Sequence, residues 1–256
     1  MKHFLIISKK TLRNLLIFII FAALVFFLAK QTTIFTQVSA TIQKDNPIYF
    51  VYTDESKISL SFDAAWGCEH TEDILRVLDE NGIKATFFLT NIWLEDYPEM
   101  AQEIASRGHE IAMHSTTHPH MNNLSTDEII REIENNKDLI ISTTAYEPTL
   151  FRMPFGEYNN TVVGTVKELG YYPIQWSIDS LDWQDEATVA TITKRVTEKL
   201  HNGAIILMHN NGTYTAAALA EIIHYAKNAG YTFVPIGELI YPTPYTVDTQ
   251  GGQSAK

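Results

Sequence analysis

The chain has 256 residues, 45% of them apolar, enough for one sizeable core, and a formal charge of -11. That charge is uneven: six of the 19 Lys and Arg precede Asp45 while all 30 Asp and Glu lie at or beyond it, so the remainder carries about -17 and excludes nucleic acid as a partner. The single cysteine, Cys68, excludes an internal disulfide, and packing must hold the fold.

Residues 1–14 are basic through Lys2, Lys9, Lys10 and Arg13, and residues 15–29 are unbroken apolar sequence closed by Lys30. This reads as an export segment with its basic end in the cytosol, retained as a signal-anchor helix in the cell membrane with the rest of the chain outside. The run is slightly short for a span, although Arg13 and Lys30 can snorkel to the interfaces. The alternative is secretion after cleavage near Ala40, where Val38-Ser39-Ala40 is similar to a processing site. Residues 30–56 read as a polar tether in which Ile48-Tyr49-Phe50-Val51 offers an edge strand.

From Lys57 strand and helix signals alternate. Ile58, Leu60 and Phe62 share one face of a strand, and Thr71 begins a helix whose Ile74, Leu75 and Leu78 form an apolar stripe ending at Asn81-Gly82. Strand 85–89 precedes a helix from Pro98 to Gly108, and strand 110–113 precedes a helix opened by the capping box Ser125 and Glu128. Strand 150–152 leads to a helix closed by Gly170, strand 174–178 to one ending near Gly203, and strand 204–208 to one ending at Gly230. Strand 231–234 and a short helix close the series. About seven such units over 57–241, without a nucleotide-binding glycine loop, predict a closed or nearly closed parallel α/β barrel. Residues 242–256 read as a flexible polar tail.

Asp63, His114, Arg152, Asp179 and His209 each fall at or just past the end of a different predicted strand. A parallel barrel gathers such residues on its C-terminal rim, where this architecture places active sites. His114 and His118, four residues apart, converge on one ion if their segment turns helically. Arg152 sets a permanent cation beside the turn Met153-Pro154-Phe155-Gly156. Asp179-Ser180-Leu181-Asp182-Trp183 brings two carboxylates and a ring, and a carboxylate here can hold an imidazole in one tautomer and raise its basicity. Singly, these have ordinary readings as a solvated pair, a surface arginine, a capping loop and a core histidine. The shared rim argues for the metal and catalytic reading.

Together the segments resemble the polysaccharide deacetylase family, the NodB-type carbohydrate esterases of family 4. The likeness runs from Ile58 to about Leu239 through five ordered stretches: Ser61-Phe62-Asp63-Ala64-Ala65, the His114 and His118 pair, Arg152 through Phe155, Asp179 through Trp183, and Leu207-Met208-His209. The longer string Ser61-Phe62-Asp63-Ala64-Ala65-Trp66-Gly67, with the N-terminal segment, is most similar to the sporulation-associated PdaB-type members.

The resemblance implies a distorted (β/α)7 barrel that removes acetyl groups from N-acetylated cell-wall glycan, here peptidoglycan, with a divalent metal, usually zinc. It implies Asp63 as general base oriented by Arg152, His209 as general acid oriented and tuned by Asp179, and His114 and His118 as metal ligands. Phe155, Trp183 and Leu207 would bind substrate, with the backbone N–H after Pro154 holding the oxyanion. Trp66, Trp93 and Tyr158 offer rings for stacking on sugars or for simple packing. One position departs from the family pattern: the second aspartate of the first motif, a metal ligand, is Ala64, and Ala65 follows it. Two imidazoles then remain where catalytic zinc has three protein ligands. The expectation is a weakened metal site in an enzyme, against a glycan-binding or assembly protein with little turnover.

Overall fold

The structure, a computed structural model, describes residues 9–41 and 45–256, which fall into two units split after Lys44. The expectations for residues 1–8 and 42–44 lie outside the described residues. In the first unit, α1 (Lys9–Thr41) continues through the stretch expected to begin the tether, and its Leu16, Phe18, Phe21 and Phe26 are exposed. Among the described residues no helix is long and apolar enough to cross a membrane. An apolar run of residues 15–29 covers about 22 Å of a hydrocarbon core roughly 30 Å thick.

The second unit spans Asp45–Lys256. Its strands are β1 (Phe50–Val51), β2 (Lys57–Ala64), β3 (Thr86–Leu89), β4 (Glu110–Met113), β5 (Leu150–Arg152), β6 (Tyr172–Ile174), β7 (Ile178–Asp179), β8 (Ile205–His209), β9 (Thr232–Phe233), β10 (Tyr245–Val247) and β11 (Gly252–Ala255). Between and after them run α2 (Thr71–Glu80), α3 (Asn91–Asp96), α4 (Pro98–Ser106), α5 (Thr126–Thr144), α6 (Asn160–Glu168), α7 (Val189–Thr197), α8 (Thr215–Asn228) and α9 (Ile236–Leu239). The main sheet follows the order β6-β5-β4-β3-β2-β8-β7, with β9 pairing the start of β2, and every pairing is parallel.

The sheet curls into a half-barrel. Its end strands β6 and β7 do not pair, and the seam between them is filled by the segment before β2. The Ile48 N–H donates to Pro173 O at 2.8 Å, the Gln175 N–H to Ile48 O at 2.7 Å, and the Val51 N–H to Gly203 O at 3.0 Å. The single strand expected over 174–178 is therefore two, because residues 175–177 cross the seam from one edge of the sheet to the other. Gly203 stands where β1 passes closest: its φ is +75°, and a Cβ there would collide with the Val51 carbonyl.

Alternation along β2 separates two environments. Ile58, Leu60, Phe62 and Ala64 join the apolar layer shared with helix residues such as Ile74, Leu78 and Leu219, whereas Ser61 and Asp63 face the barrel interior with Arg152. Phe88, Ala112, Ile174 and Ile205 with Ile48 and Val51 form the interior apolar cluster.

The tail expected to be flexible is ordered. β10 and β11 pair antiparallel, and β11 pairs β1 in parallel as a separate three-stranded sheet. The polar sequence concealed this because the buried Gln253 amide bonds both the N–H and the carbonyl of Tyr241, a use of a polar side chain that hydropathy does not register. The end of the expected tether is likewise part of this unit, through Asn46, Ile48 and Val51.

Candidate active site

The strand ends meet as the rim argument requires. Asp63 and His209 are register partners on neighbouring β2 and β8, Asp179 pairs with Leu207, and Arg152 ends β5. His114 follows β4 directly. A cavity of about 530 Å³ is lined by Asp63, His114, His118, Asp179 and His209, and by the expected walls Phe155, Trp183 and Leu207. Arg152 sits behind Asp63, fully buried.

The Asp63 carboxylate is held by charge. Arg152 Nη1 donates to Asp63 Oδ1 at 2.7 Å while Nη2 donates to Ser61 Oγ at 2.9 Å and to Gln175 O at 3.3 Å. The guanidinium lies 3.9 Å above the Phe88 ring centroid, which fixes its plane. Burial pushes the Asp63 carboxyl up, and Arg152 with His114 and His209 more than offsets it, leaving the group below the usual carboxylate range. Asp63 is therefore an ionised acceptor at neutral pH.

The partner of His209 is Asp182, which corrects the expectation for Asp179. Asp182 Oδ1 accepts from His209 Nδ1 at 2.8 Å, and its Oδ2 accepts from the His209 backbone N–H at 2.8 Å and from Thr215 Oγ1 at 2.7 Å. Asp179 Oδ1 instead accepts the Leu181 N–H at 2.9 Å. Leu181 takes a left-handed φ of 52°, so the chain reverses and Asp182, three residues beyond the strand end, folds back under β8. Asp179 reaches His209 only through its charge. Burial lowers the His209 pKa, but the hydrogen bond and charge of Asp182, then Asp63 and Asp179, raise it above the ordinary imidazole value. With Nδ1–H committed to Asp182, Nε2 is the nitrogen left for proton exchange.

His114 and His118 also converge, with ring centroids 5.0 Å apart, although their segment is a tight loop with left-handed φ at Ser115 (76°) and His118 (53°) rather than a helical turn. α5 holds that loop. Asn136 Oδ1 accepts the His114 N–H at 2.9 Å, and Glu132 Oε2 accepts the N–H groups of Thr116 and Thr117 at 2.9 and 2.8 Å. His114 Nδ1 lies 2.9 Å from Arg152 O, which only accepts, so the ring proton is on Nδ1 and the Nε2 lone pair faces Asp63 Oδ2 at 3.5 Å. Burial lowers the pKa of both imidazoles, His118 to about 4, with the charge of His114 adding to the effect.

Two neutral imidazoles, one with its tautomer fixed by a carbonyl, suit a divalent cation. They do not complete a site. Among the described residues no group of three or more His, Cys, Asp or Glu side chains is arranged to hold a metal ion, and the Ala64 methyl is buried in the apolar layer.

Of the three candidate stacking rings only Trp66 is exposed at the cavity; Trp93 is buried and Tyr158 packs against Tyr49. Phe155 and Trp183 are more than half exposed, Leu207 is buried, and Phe155 adopts φ 58°. Sequence reasoning missed Asp182 as the histidine partner, Glu132 and Asn136 as supports, and Trp176 and Asn210 as lining residues. A Glu and an Asn four apart on the polar side of a helix carry no separate sequence signal, whereas Asp182 lay in view within Asp179-Ser180-Leu181-Asp182-Trp183.

The family model for polysaccharide deacetylase matches residues 51–174. The solved structure of BA3943 from Bacillus anthracis, a CE4 family pseudoenzyme, is similar with a TM-score of 0.73 at 32% identity, over 77% of this chain and 69% of that one. This chain belongs to the polysaccharide deacetylase family. A BA3943 mutant with restored enzymatic activity matches at 34% identity and the same TM-score, over 77% and 72% of the two chains. YlxY of Bacillus subtilis, itself uncharacterised, is 33% identical over 84% of this polysaccharide deacetylase family chain and 68% of its own length. PgdA of Listeria monocytogenes, a peptidoglycan-N-acetylglucosamine deacetylase, is 34% identical over 72% of this chain, which spans only 38% of the PgdA length.

Proposed function

We propose that this chain hydrolyses acetamide groups of peptidoglycan, releasing acetate and leaving a free amine on the sugar. The observation that carries this reading is the pairing, on adjacent strands of one cavity, of a carboxylate held ionised with an imidazole held toward its protonated form. Asp63 takes the proton of a water attacking the acetyl carbonyl. His209, its Nδ1–H bound to Asp182, gives its Nε2 proton to the amide nitrogen as the C–N bond breaks. Arg152 keeps Asp63 ionised and oriented, Asp179 shapes the turn that presents Asp182, and Phe155, Trp183 and Leu207 wall the acetyl and sugar. A divalent cation on His114 and His118, zinc suiting imidazole donors, would supply Lewis-acid polarisation, with affinity reduced by Ala64.

The site of action is outside the cytoplasmic membrane, with residues 15–29 as the anchor. The order of basic, apolar and basic residues and the exposed apolar side chains of α1 support this. The string Ser61-Phe62-Asp63-Ala64-Ala65-Trp66-Gly67 supports a sporulation setting. A second reading, glycan binding without turnover, is favoured by Ala64 and by the likeness to a pseudoenzyme.

Acetate release from peptidoglycan by the full chain, with and without added zinc, separates the two. Release that drops about 100-fold or more in Asp63→Asn supports the hydrolase. Glycan binding with no acetate at any zinc level establishes the second reading instead.

A further inference from the structure

The cavity mouth carries more exposed ring surface than acetamide chemistry needs. Three of the exposed aromatic side chains of the second unit, Trp66, Phe155 and Trp183, line the cavity that holds Asp63 and His209, and they come from three separate loops. Exposed rings concentrated at one cavity mark a surface that a ligand covers.

Trp66 is also held from behind. The carbonyl of Gly67, the next residue, accepts the Trp93 Nε1–H at 2.7 Å and the Asn210 Nδ2–H at 2.8 Å. Gly67 itself has φ +67°, and a Cβ there would sit 2.6 Å from Glu69 Oε2. The Trp66 ring meets the His118 ring edge to face at 4.9 Å, and Phe155 meets the same imidazole at 4.5 Å. His120 stacks on Phe155 at 4.5 Å and is itself bound to Glu157 at 2.9 Å. Two exposed rings thus share one imidazole neighbour on a backbone that cannot relax to bury them, the condition for a preorganised stacking surface.

A surface of ring faces beside a polar cavity suits a ligand with flat C–H faces edged by hydroxyls, which is the chemistry of pyranoses. We infer that Trp66 and Phe155 form a platform for a second sugar of an N-acetylated glycan, the neighbour of the one whose acetamide enters the cavity. The inference rests on the glycan reading above and adds that the ligand is an oligomer rather than a single sugar.

Calorimetric titration of the full chain with N-acetylglucosamine and with its β-1,4-linked tetramer tests it. The tetramer binds about tenfold more tightly than the monomer, and Trp66→Ala removes that preference while leaving monomer affinity unchanged. Trp66→Tyr keeps the preference, and Trp66→Gln reproduces the loss if the alanine variant fails to fold. Equal affinity for monomer and tetramer in the wild type, or an undiminished preference in Trp66→Ala, overturns the platform while the glycan reading stands. Absence of binding to either sugar overturns the glycan reading and the platform with it.

Discussion

The two halves of the cavity are built differently. On the proton-transfer half, each ionisable group meets its partner from another part of the chain, Asp63 with Arg152 at 2.7 Å and His209 with Asp182 at 2.8 Å. On the imidazole half, His114 and His118 come from one loop, His118 Nδ1 is buried without a partner, and Ala64 offers a methyl group. Only Asp63 touches both halves, its Oδ1 on Arg152 and its Oδ2 facing His114. Loss of a metal ligand therefore leaves the acid and base pairs physically intact, and each half can be broken without the other.

Breaking the link behind Asp63 has the largest effect. Arg152→Leu strands a buried carboxylate and is expected to cost about 3–5 kcal/mol, read from urea unfolding. Asp182→Asn comes next: acetate release falls about 100-fold with stability less affected, since only the proton donor is impaired. The pH dependence has a definite sign. His209 is raised above its unfolded value of about 6.5, so the stabilisation from its pairing with Asp182 is complete below that pH and is lost as pH rises through the higher folded value. The alkaline limb of acetate release follows the same group and moves to lower pH in Asp182→Asn.

On the other half, Ala64→Asp places a carboxylate in an apolar layer, lowering the melting temperature without metal. Zinc should then raise that temperature more than in the wild type, with affinity increased at least about tenfold. Glu132→Ala, which frees the N–H groups of Thr116 and Thr117, has the smallest effect, about 1–2 kcal/mol, read as faster amide exchange at those two positions.

The same contrast governs what was legible in the sequence. Asp63, His114, Arg152, Asp179 and His209 were visible because each ends a strand whose apolar periodicity is local, and parallel strands share a rim. Asp182 was not separable from Asp179, since the choice depends on a left-handed turn at Leu181, a residue with no bias toward that conformation. The division of 174–178 into β6 and β7 depends on Ile48, more than a hundred residues away, taking the hydrogen bonds of the seam. β11 escaped notice because its buried residues are Gly251, Gly252 and Gln253 rather than an apolar alternation.

The clasp between β1 and β11 also sets how the second unit responds to pulling. The strands run in parallel, Phe50 beside Gly252 and Val51 beside Gln253, with backbone bonds of 2.9 Å from Tyr49 N to Gly251 O and from Tyr52 N to Gln253 O. Tension applied at Asp45 and at the far end of β11 acts on opposite ends of this pair. It loads the bonds together in shear instead of peeling them one at a time, so the latch resists stretching along the chain while remaining open to unzipping from the side.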